Sequence, residues 1–147
     1  MNSIIMKDVR TEIIINASPE RVWSILIDFP RYPEWNPFVR EVKGKIAVGE
    51  KLKVYVKPEN SRGMRFNATI TKINPNKEFR WVGRLLFPGI LDGEHIFIIQ
   101  PMGRNKIKFM HSERFTGLLS VLGGLNKLTQ SGLSDMNHAL KRRCERF

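Results

Sequence analysis

The sequence predicts an α+β fold in which an antiparallel sheet of about seven strands curves around a long C-terminal helix. Between residues 38 and 115, apolar and polar residues alternate in short segments joined by turns, which is typical of an antiparallel meander. In about the last 30 residues the apolar positions recur every three or four residues, which indicates a helix. The apolar face of the sheet is the only surface large enough to cover that helix, so we expect the sheet to wrap around it.

The chain begins with a predicted strand and a capped helix. Residues 10–16, RTEIIIN, are rich in β-branched side chains and favour a strand. Ser18 suits a helix N-cap, Pro19 suits the first helical position and Glu20 is favourable in the first turn. Pro30 is expected to end this helix, because proline cannot continue the helical hydrogen-bond ladder. The apolar face of the helix is formed by Val22, Ile25, Leu26 and Phe29.

The next segment, RYPEWNPFV at 31–39, combines large rings with an irregular backbone. Three prolines interrupt it or border it: Pro30, Pro33 and Pro37. We therefore expect neither a helix nor a central strand to run through it. Its rings are Tyr32, Trp35 and Phe38, which are side chains that proteins normally bury. Two interpretations stay open: the rings plug the core, or they act partly as a lid at one end of it.

Six further strands are predicted, at residues 38–44, 51–57, 65–73, 78–85, 93–100 and 106–115. The segments between them are short and contain glycine, proline and asparagine, as turns do. The C-terminal helix presents an apolar stripe formed by Leu118, Leu122, Leu125, Thr129, Gly132, Met136 and Leu140. Gly123 and Gly124 are weak helix formers, so they are expected to delay the start of this helix.

The length of 147 residues suits one domain, spanning 1–147, with a sizeable core of its own. Cys144 is the only cysteine, which excludes an intramolecular disulfide and fits a reducing compartment. The N-terminus is charged too early for a signal peptide, and no apolar run approaches the roughly 20 residues that span a bilayer. We therefore expect a cytoplasmic protein.

The chain is basic, with 25 Lys and Arg against 14 Asp and Glu and a formal net charge of +11. Such a surface attracts nucleic acid or anionic lipid headgroups, so an anionic membrane surface is a candidate partner. However, the basic residues are spread along the chain, which favours an ordinary solvated surface. No nucleic-acid-binding motif is present, and no nucleic-acid partner is therefore expected.

Strand parity predicts a group of polar side chains inside the sheet. His95 shares a face of its strand with Phe97, and His111 and Glu113 share a face of the following strand with Phe109. Because the phenylalanines belong inside, the two histidines and the glutamate are expected to point inward too. They could orient a polar group of a ligand or perform acid–base catalysis. Alternatively, Glu113 pairs with a histidine, and this pairing has only a structural role.

Other kinds of site find little support in the sequence. Two histidines and a carboxylate could hold a metal ion, but neither an HExxH motif nor a cysteine pair accompanies them, so no metal site is predicted. No serine has a GxSxG setting, and the glycine-rich segments lack the pattern of a phosphate-binding loop. We therefore predict no catalytic residue and no cofactor.

Several segments together resemble the START-like (SRPBCC, helix-grip) superfamily, in particular its bacterial polyketide cyclase/dehydrase-like group. They are ASPERVWSILIDFPRYPEWNPFV, VGEKL, FRWVGRL with PGILDGEHIFII, and ERFTGLL, and the resemblance covers roughly 10–146. It implies a seven-stranded curved antiparallel sheet around a long C-terminal helix, with two short helices closing one end. It also implies a cavity between sheet and helix that holds a hydrophobic molecule. Members of the superfamily include cyclases, hydrolases, lipid carriers and hormone-binding proteins, so the resemblance does not decide on catalysis.

We therefore predict a protein that binds or transports a small hydrophobic or amphipathic ligand, such as a lipid or a polyketide-like molecule. The residues predicted to line the cavity are Trp35, Phe38, Phe66, Trp81, His95, Phe97, Phe109, His111, Glu113 and Met136. Two alternatives stay open: a cyclase, dehydratase or hydrolase that uses the His/Glu group, and a lipid carrier or accessory protein at an anionic membrane. In the second, the apolar loops at 85–93 and 115–125 would form a mobile portal. The sequence predicts neither the identity of the ligand nor the oligomeric state.

Overall fold

The structure, a computed structural model, describes residues 6–85, 91–117 and 124–146. Its strands are β1 (Met6–Ile15), β2 (Val39–Lys43), β3 (Lys51–Val56), β4 (Met64–Asn74), β5 (Glu78–Arg84), β6 (Asp92–Pro101) and β7 (Ile107–Thr116). Its helices are α1 (Pro19–Leu26), α2 (Tyr32–Trp35) and α3 (Leu125–Cys144), with a 3-10 turn at Phe29–Arg31. Within the described ranges, no helix is both long enough and apolar enough to cross a bilayer. Every predicted strand is found, with its ends shifted by a few residues.

The seven strands form one antiparallel sheet in the order β1-β7-β6-β5-β4-β3-β2. Strands β2 to β7 follow one another as chain neighbours, whereas β1 pairs with β7 over its whole length, from Met6 opposite Thr116 to Ile15 opposite Ile107. The sheet curls around α3, which contacts β1 and β7. The predicted fold, a curved antiparallel sheet around a long C-terminal helix, is thus confirmed.

The first helix starts where the sequence predicts but ends earlier. Ser18 is the N-cap, and its hydroxyl accepts a hydrogen bond from Arg21 N at 3.2 Å. The helix ends at Leu26 instead of Pro30, which lies in the following 3-10 turn. In a longer helix the carbonyl of Leu26 would accept from residue 30, which as a proline has no N–H. The hydroxyl of Tyr32 donates to that carbonyl instead, at 2.5 Å.

The proline-rich joint at 31–39 contains a short helix but, as predicted, no helix runs through it. Helix α2 spans Tyr32–Trp35 and includes Pro33. Proline is tolerated there because the N–H groups of a first helical turn have no intrahelical acceptor. The side chain of buried Asn36 then accepts a hydrogen bond from Phe38 N at 3.0 Å, which turns the chain into β2.

The long helix α3 begins at Leu125, directly after Gly124, whose φ of 81° is far more easily adopted by glycine than by other residues. This start agrees with the predicted delay, and residues 118–123 of the predicted helix lie outside the described residues. Midway along α3, the ring of Phe38 packs on Gly132, where any Cβ would overlap the ring. Phe38 therefore ties the joint to the helix.

The last turn of α3 is held against β1 and α1. Arg21 donates to the carbonyl oxygens of Cys144 at 2.5 Å and of Arg146 at 2.6 Å. Lys141 Nζ donates to Ile14 O at 2.8 Å. Cys144 is buried beside these contacts, and burial raises the pKa of its thiol to about 12. The thiol is therefore protonated at neutral pH, and the C-terminal end of the helix has a fixed position on the sheet.

Candidate functional site

The inner face of the sheet, which faces α3, consists of neighbouring rows of side chains. The ring row crosses β4, β5, β6, β7 and β1 as Ile73, Phe79, Phe97, His111 and Thr11. Next to it, the relay row crosses the same strands as Ile70, Trp81, His95, Glu113 and Val9. The glycine row follows, from β3 to β7, as Leu52, Ala68, Gly83, Gly93 and Phe115. In β4, β5 and β6 the side chains of the glycine row are thus smaller than those of the ring row, and the glycine row lies next to the connection between β5 and β6.

Five side chains from four elements form a continuous chain of contacts, which we call the relay: Glu113, His95, His111, Asn137 and Thr11. Glu113 Oε2 lies 2.8 Å from His95 Nδ1, and His95 Nε2 lies 2.7 Å from His111 Nε2. His111 Nδ1 lies 2.9 Å from Asn137 Oδ1, and Asn137 Nδ2 donates to Thr11 Oγ1 at 2.8 Å. His95, His111 and Asn137 are buried. The relay thus runs from the core to the partly exposed carboxylate of Glu113.

The hydrogen-bond directions in the relay are fixed from the Thr11 end. The hydroxyl of Thr11 donates to His111 O at 2.7 Å, because a carbonyl oxygen can only accept. The hydroxyl oxygen therefore accepts from Asn137 Nδ2, which turns Asn137 Oδ1 towards His111 Nδ1. His111 Nδ1 must then carry a proton and donate it. Burial and the neighbouring His95 hold the pKa of His111 well below its usual range, so its ring is neutral at pH 7 and its Nε2 accepts from His95 Nε2–H.

The glycine row is covered by two side chains that lean over it. A Cβ built on Gly83 would lie 2.6 Å from the ring of Phe66, so that ring occupies the space above the glycine. A Cβ built on Gly93 would lie 3.3 Å from Glu113 Oε1. Gly83 and Gly93 are directly opposite each other in β5 and β6, and Ala68 stands beside Gly83 in β4. Strands without side chains let another group approach the backbone, and here those groups are the Phe66 ring and the Glu113 carboxylate.

The structure brings His95, His111 and Glu113 together, and all three point inward as the strand parity predicts. Both histidines are buried, whereas the Glu113 side chain keeps 13% of its exposure. Three of the other predicted site residues pack directly on them, including Phe109, whose ring centroid lies 5.6 Å from that of His111. The ring of Trp81 meets His95 edge-on at 5.3 Å between centroids, and Phe97 stacks on both imidazoles.

The remaining predicted site residues have other surroundings. Met136 is fully buried in the core. Phe38 packs on α3, and Phe66 covers the glycine row. Trp35 is half-buried in a surface cleft along the C-terminal part of α3, and the lining of that cleft includes no relay residue. The structure therefore does not bring Trp35 or Phe38 into contact with the His/Glu group.

Near-complete burial means that the middle of the interior is filled by side chains. Six of the predicted site residues expose 2% or less of their surface: Trp81, His95, Phe97, Phe109, His111 and Met136. Side chains buried to this degree contact other protein atoms over nearly their whole surface. The loops predicted to form a portal, 85–93 and 115–125, fall largely on residues 86–90 and 118–123, outside the described part of the chain.

Sequence reasoning missed Thr11, Asn137 and the two glycines, although each has a signal. Thr11 shares its strand parity with the buried Ile15. Asn137 directly follows Met136 of the apolar stripe, where a polar residue indicates a hydrogen-bond partner in the core. Glycines at positions 83 and 93 interrupt two strand patterns, which indicates the close approach of another group.

The relay is a hydrogen-bonded chain, and its geometry does not suit a metal ion. Among the described residues, no group of three or more His, Cys, Asp or Glu side chains is arranged to hold one. The Nε2 atoms of His95 and His111 lie 2.7 Å apart and bond to each other. Two imidazoles that each bind zinc at about 2.0–2.1 Å would hold their nitrogens further apart than this.

A surface cleft of about 870 Å³ lies elsewhere, between the joint and α3. Its walls include Phe38, Arg40, Lys57, Asp135, His138 and Arg142. This cleft is wide open to solvent, and no residue of the relay or of the glycine row lines it. Its size alone carries no chemistry, whereas the relay combines buried titratable groups with a neighbouring row of glycines, so the relay is the better candidate site.

Comparison with known proteins identifies a family and a fold. The family model described as "Polyketide cyclase / dehydrase and lipid transport" matches residues 6–146. No curated protein sequence matches the chain.

Solved structures share the fold at low sequence identity. A START superfamily protein from Mycobacterium smegmatis is 22% identical with a TM-score of 0.76, over 94% of this chain and 97% of that one. The Zhui aromatase/cyclase from Streptomyces sp. R1128 is 13% identical with a TM-score of 0.79, over 97% and 95% of the two chains. Truncated norcoclaurine synthase from Thalictrum flavum is 12% identical with a TM-score of 0.76, over 100% and 98%. At these identities the likeness shows the fold alone. Because the family model covers nearly the whole chain, this protein belongs to the polyketide cyclase/dehydrase and lipid transport family, and it has the START-like helix-grip fold.

Proposed function

We propose that this protein binds a small hydrophobic or amphipathic molecule at the glycine row, with the polar end of the molecule on Glu113. The observation that carries the proposal is a row of missing side chains directly beside a buried polar relay. START-like folds generally bind small hydrophobic ligands, which supports the assignment. The proposed ligands are lipids or polyketide-like molecules.

Binding at the glycine row requires its two covering side chains to move. Phe66 is half-buried, and it can turn away about two side-chain bonds. Glu113 is also only partly buried and has three such bonds. An apolar ligand would then cover Gly83 and Gly93 in their place, at about 25 cal/mol for each Å² of apolar surface removed from water. The binding mode thus needs movement of two side chains and no change in the sheet.

A purely structural role does not account for the outer end of the relay. Buried polar groups stabilise a core only when all of them are paired. Glu113 Oε2 lies 2.8 Å from His95 Nδ1, whereas no described residue donates a hydrogen bond to Glu113 Oε1, which lies over Gly93. A carboxylate in this state beside an apolar hollow offers a contact that the polar end of a ligand can complete.

Titration with an environment-sensitive dye tests this proposal. N-phenyl-1-naphthylamine fluoresces in apolar surroundings, and we expect the wild type to bind it saturably at one site. Gly83→Leu should abolish binding, because the new side chain and the Phe66 ring compete for the same space. Val82→Leu is the matched control, since its side chain lies on the outer face of the same strand. It should bind the dye as the wild type does.

A second substitution guards against a failure to fold. Ala68→Leu fills the same row from β4, and circular dichroism with thermal unfolding checks that each variant is folded. Phe66→Ala widens the hollow and should maintain or strengthen binding. Organic extraction and mass spectrometry of the purified protein would identify the class of a co-purified molecule. The proposal fails if the wild type binds no dye, or if binding survives both Leu substitutions in folded proteins.

Acid–base catalysis by the relay is a second candidate function, favoured by the contact of Glu113 with two coupled imidazoles. A proton at His95 can pass to His111 through the hydrogen bond between their Nε2 atoms. Such a group suits a cyclase, dehydratase or hydrolase that takes and returns a proton. Glu113→Gln should then abolish turnover while the ligand still binds. Equal turnover by variant and wild type would exclude this role.

An anionic membrane surface is a further candidate partner, favoured by the way the fold gathers charge. Residues 40–77 contain ten Lys and Arg against three Asp and Glu, a net charge of +7 out of the +11 of the chain. The exposed lysines of the β2–β3 edge form a basic face: Lys43, Lys51, Lys53 and Lys57. Lys43 and Lys53 stand directly opposite each other, which costs stability. Each such lysine contributes about 1 kcal/mol near an anionic lipid surface.

Co-sedimentation with phosphatidylcholine vesicles, with and without phosphatidylserine, tests this partner. We expect binding that requires the anionic lipid and weakens as salt is added. Lys53→Glu should weaken it more than Lys106→Glu, which makes the same change of charge in the turn between β6 and β7. Binding that ignores lipid charge and salt would contradict an electrostatic contact.

A further inference from the structure

Glu113 and His95 share a proton, which follows from the directions of the hydrogen bonds in the relay. His111 Nδ1 donates to Asn137, so the Nε2 atom of neutral His111 accepts and His95 Nε2 must donate. A neutral His95 then has a lone pair on Nδ1, only 2.8 Å from Glu113 Oε2. Two unprotonated acceptors at this distance repel each other in the core, so a proton must lie on one of the two atoms.

The position of this proton does not change the total charge of the three groups. On Glu113 Oε2 it gives a neutral acid beside a neutral ring, and on His95 Nδ1 it gives an ion pair. Transfer along the relay to His111 gives a third arrangement, which burial of His111 disfavours. In every arrangement the group as a whole is neutral.

The other carboxyl oxygen, Glu113 Oε1, is an acceptor in all of these arrangements. It lies over Gly93, 3.3 Å from where a Cβ would be, and points away from the contact with His95. No described residue donates a hydrogen bond to it. Its neighbours at the glycine row are apolar, since the Phe115 ring lies 3.5 Å from the same Cβ position. One acceptor therefore decides which polar group can sit at this end of the hollow.

We infer that the site selects apolar molecules that end in a hydrogen-bond donor without charge, namely an alcohol or phenol hydroxyl. This inference rests on the proposed function and specifies its ligand class. A hydroxyl donates to Glu113 Oε1 and keeps the site neutral. An ether or ester oxygen would face Oε1 lone pair to lone pair, and a carboxylate would add a buried charge without a partner. Glu113 Oε1 therefore both binds the hydroxyl and disfavours ethers, esters and carboxylates.

Three naphthalenes of similar shape separate these chemistries by displacement of N-phenyl-1-naphthylamine. 2-Naphthol donates a hydrogen bond, 2-methoxynaphthalene only accepts one, and 2-naphthoate carries a negative charge. We expect 2-naphthol to bind about tenfold more tightly than either of the others, the value of one hydrogen bond against an unpaired buried acceptor.

Two substitutions of Glu113 attribute the selectivity to its oxygen. In Glu113→Gln the amide N–H can donate to His95 Nδ1 while Oε1 remains an acceptor, so the preference for 2-naphthol should persist. In Glu113→Leu the acceptor is gone, and the preference should fall about tenfold. Thermal unfolding of both variants verifies that they are folded.

The outcomes separate failure of the inference from failure of the proposed function. Equal affinity for 2-naphthol and 2-methoxynaphthalene, or a preference for 2-naphthoate, overturns the inference alone. A preference unchanged in Glu113→Leu also overturns it, and so does dye binding that no naphthalene displaces. If neither the dye nor any naphthalene binds, the proposed function fails and the inference fails with it.

Discussion

At the α1 end of the inner face, large rings fill the space between the sheet and the helices. The centroid of Phe79 lies 6.4 Å from that of Trp23 and 6.0 Å from that of Phe29. At the other end, Gly83 and Gly93 stand opposite each other, and only partly buried side chains lean over them. Both ends exclude water. At the α1 end buried rings do so, whereas at the glycine end the covering side chains can rotate away. The interior thus has one end packed by buried rings and one end covered by side chains that are only partly buried.

The relay spans the boundary between these two ends. His111 and Asn137 are fixed among the buried groups, whereas Glu113 reaches over Gly93. A polar group that is held by a rigid core and presented to an adaptable hollow is pre-organised for binding, because its orientation is set before the ligand arrives.

The largest expected contrast is between two phenylalanines, one at each end. Phe79→Ala removes a ring with 1% exposure and should lower the free energy of unfolding by about 3–5 kcal/mol. Phe66→Ala removes a half-buried ring and should cost about 1 kcal/mol. Urea unfolding measures both. Similar losses for the two variants would contradict the distinction between a locked end and an adaptable end.

The next effect concerns the pairing of the relay inside the core. Asn137→Ala leaves His111 Nδ1–H without its acceptor, and we expect it to cost about 1–3 kcal/mol in unfolding free energy. Asn126→Ala is the matched control, because Asn126 is exposed on the same helix, and its effect should stay within about 0.5 kcal/mol. Equal effects would mean that the relay adds nothing to stability.

Acid should destabilise the protein through His111. The unfolded chain has a histidine pKa of about 6.5, whereas burial keeps the pKa of folded His111 well below that value. Above about pH 6.5 the ring is neutral in both states, and its contribution to stability is complete. Below that pH the unfolded state takes up a proton that the folded ring refuses, so stability falls by up to about 1.4 kcal/mol per pH unit.

Urea unfolding from neutral to mildly acidic pH measures this slope in the wild type and in His111→Gln. His95 and Glu113 are present in both proteins, so the difference in slope isolates His111. The variant should have the flatter profile whatever its absolute stability. Parallel profiles would show that folded His111 takes up a proton as readily as it does in the unfolded chain.

The smallest effects come from adding one methyl group to either glycine. Gly83→Ala places a Cβ 2.6 Å from the Phe66 ring and should cost about 1 kcal/mol. Gly93→Ala meets the flexible end of Glu113 at 3.3 Å and should be nearly neutral. Combining Gly83→Ala with Phe66→Ala should remove most of the first cost, because the two groups compete for one space. Simple additivity in this double variant would show that the ring does not occupy the hollow.

Much of the fold follows from periodicity and parity in the sequence. Alternation along β6 and β7 correctly turned His95, His111 and Glu113 inward, because side chains two residues apart share a face. The capped start of α1 and the late start of α3 follow equally from local chemistry.

What the sequence did not predict depends on register and on three-dimensional placement. Asn137 contacts His111 only because of the position of α3 along the sheet, and the periodicity of the helix does not specify that position. The glycine row exists because Gly83 and Gly93 fall in register across two strands. The local pattern does not indicate helix α2, one of the two short helices that the family resemblance implies, because its proline occupies the one turn in which proline is tolerated.

The pairing of β1 with β7 also has a consequence for the order of folding. β1 lies at the edge of the sheet, and among the described strands it pairs only with β7, about 100 residues later in the chain. Closing so long a segment is entropically costly and slow, so the sheet can be completed only after the rest of the chain has formed. Thr11 joins Asn137 across a separation of 126 residues in that same event. The hydrogen-bonded chain from Thr11 to Glu113 is therefore complete only once β1 has paired with β7.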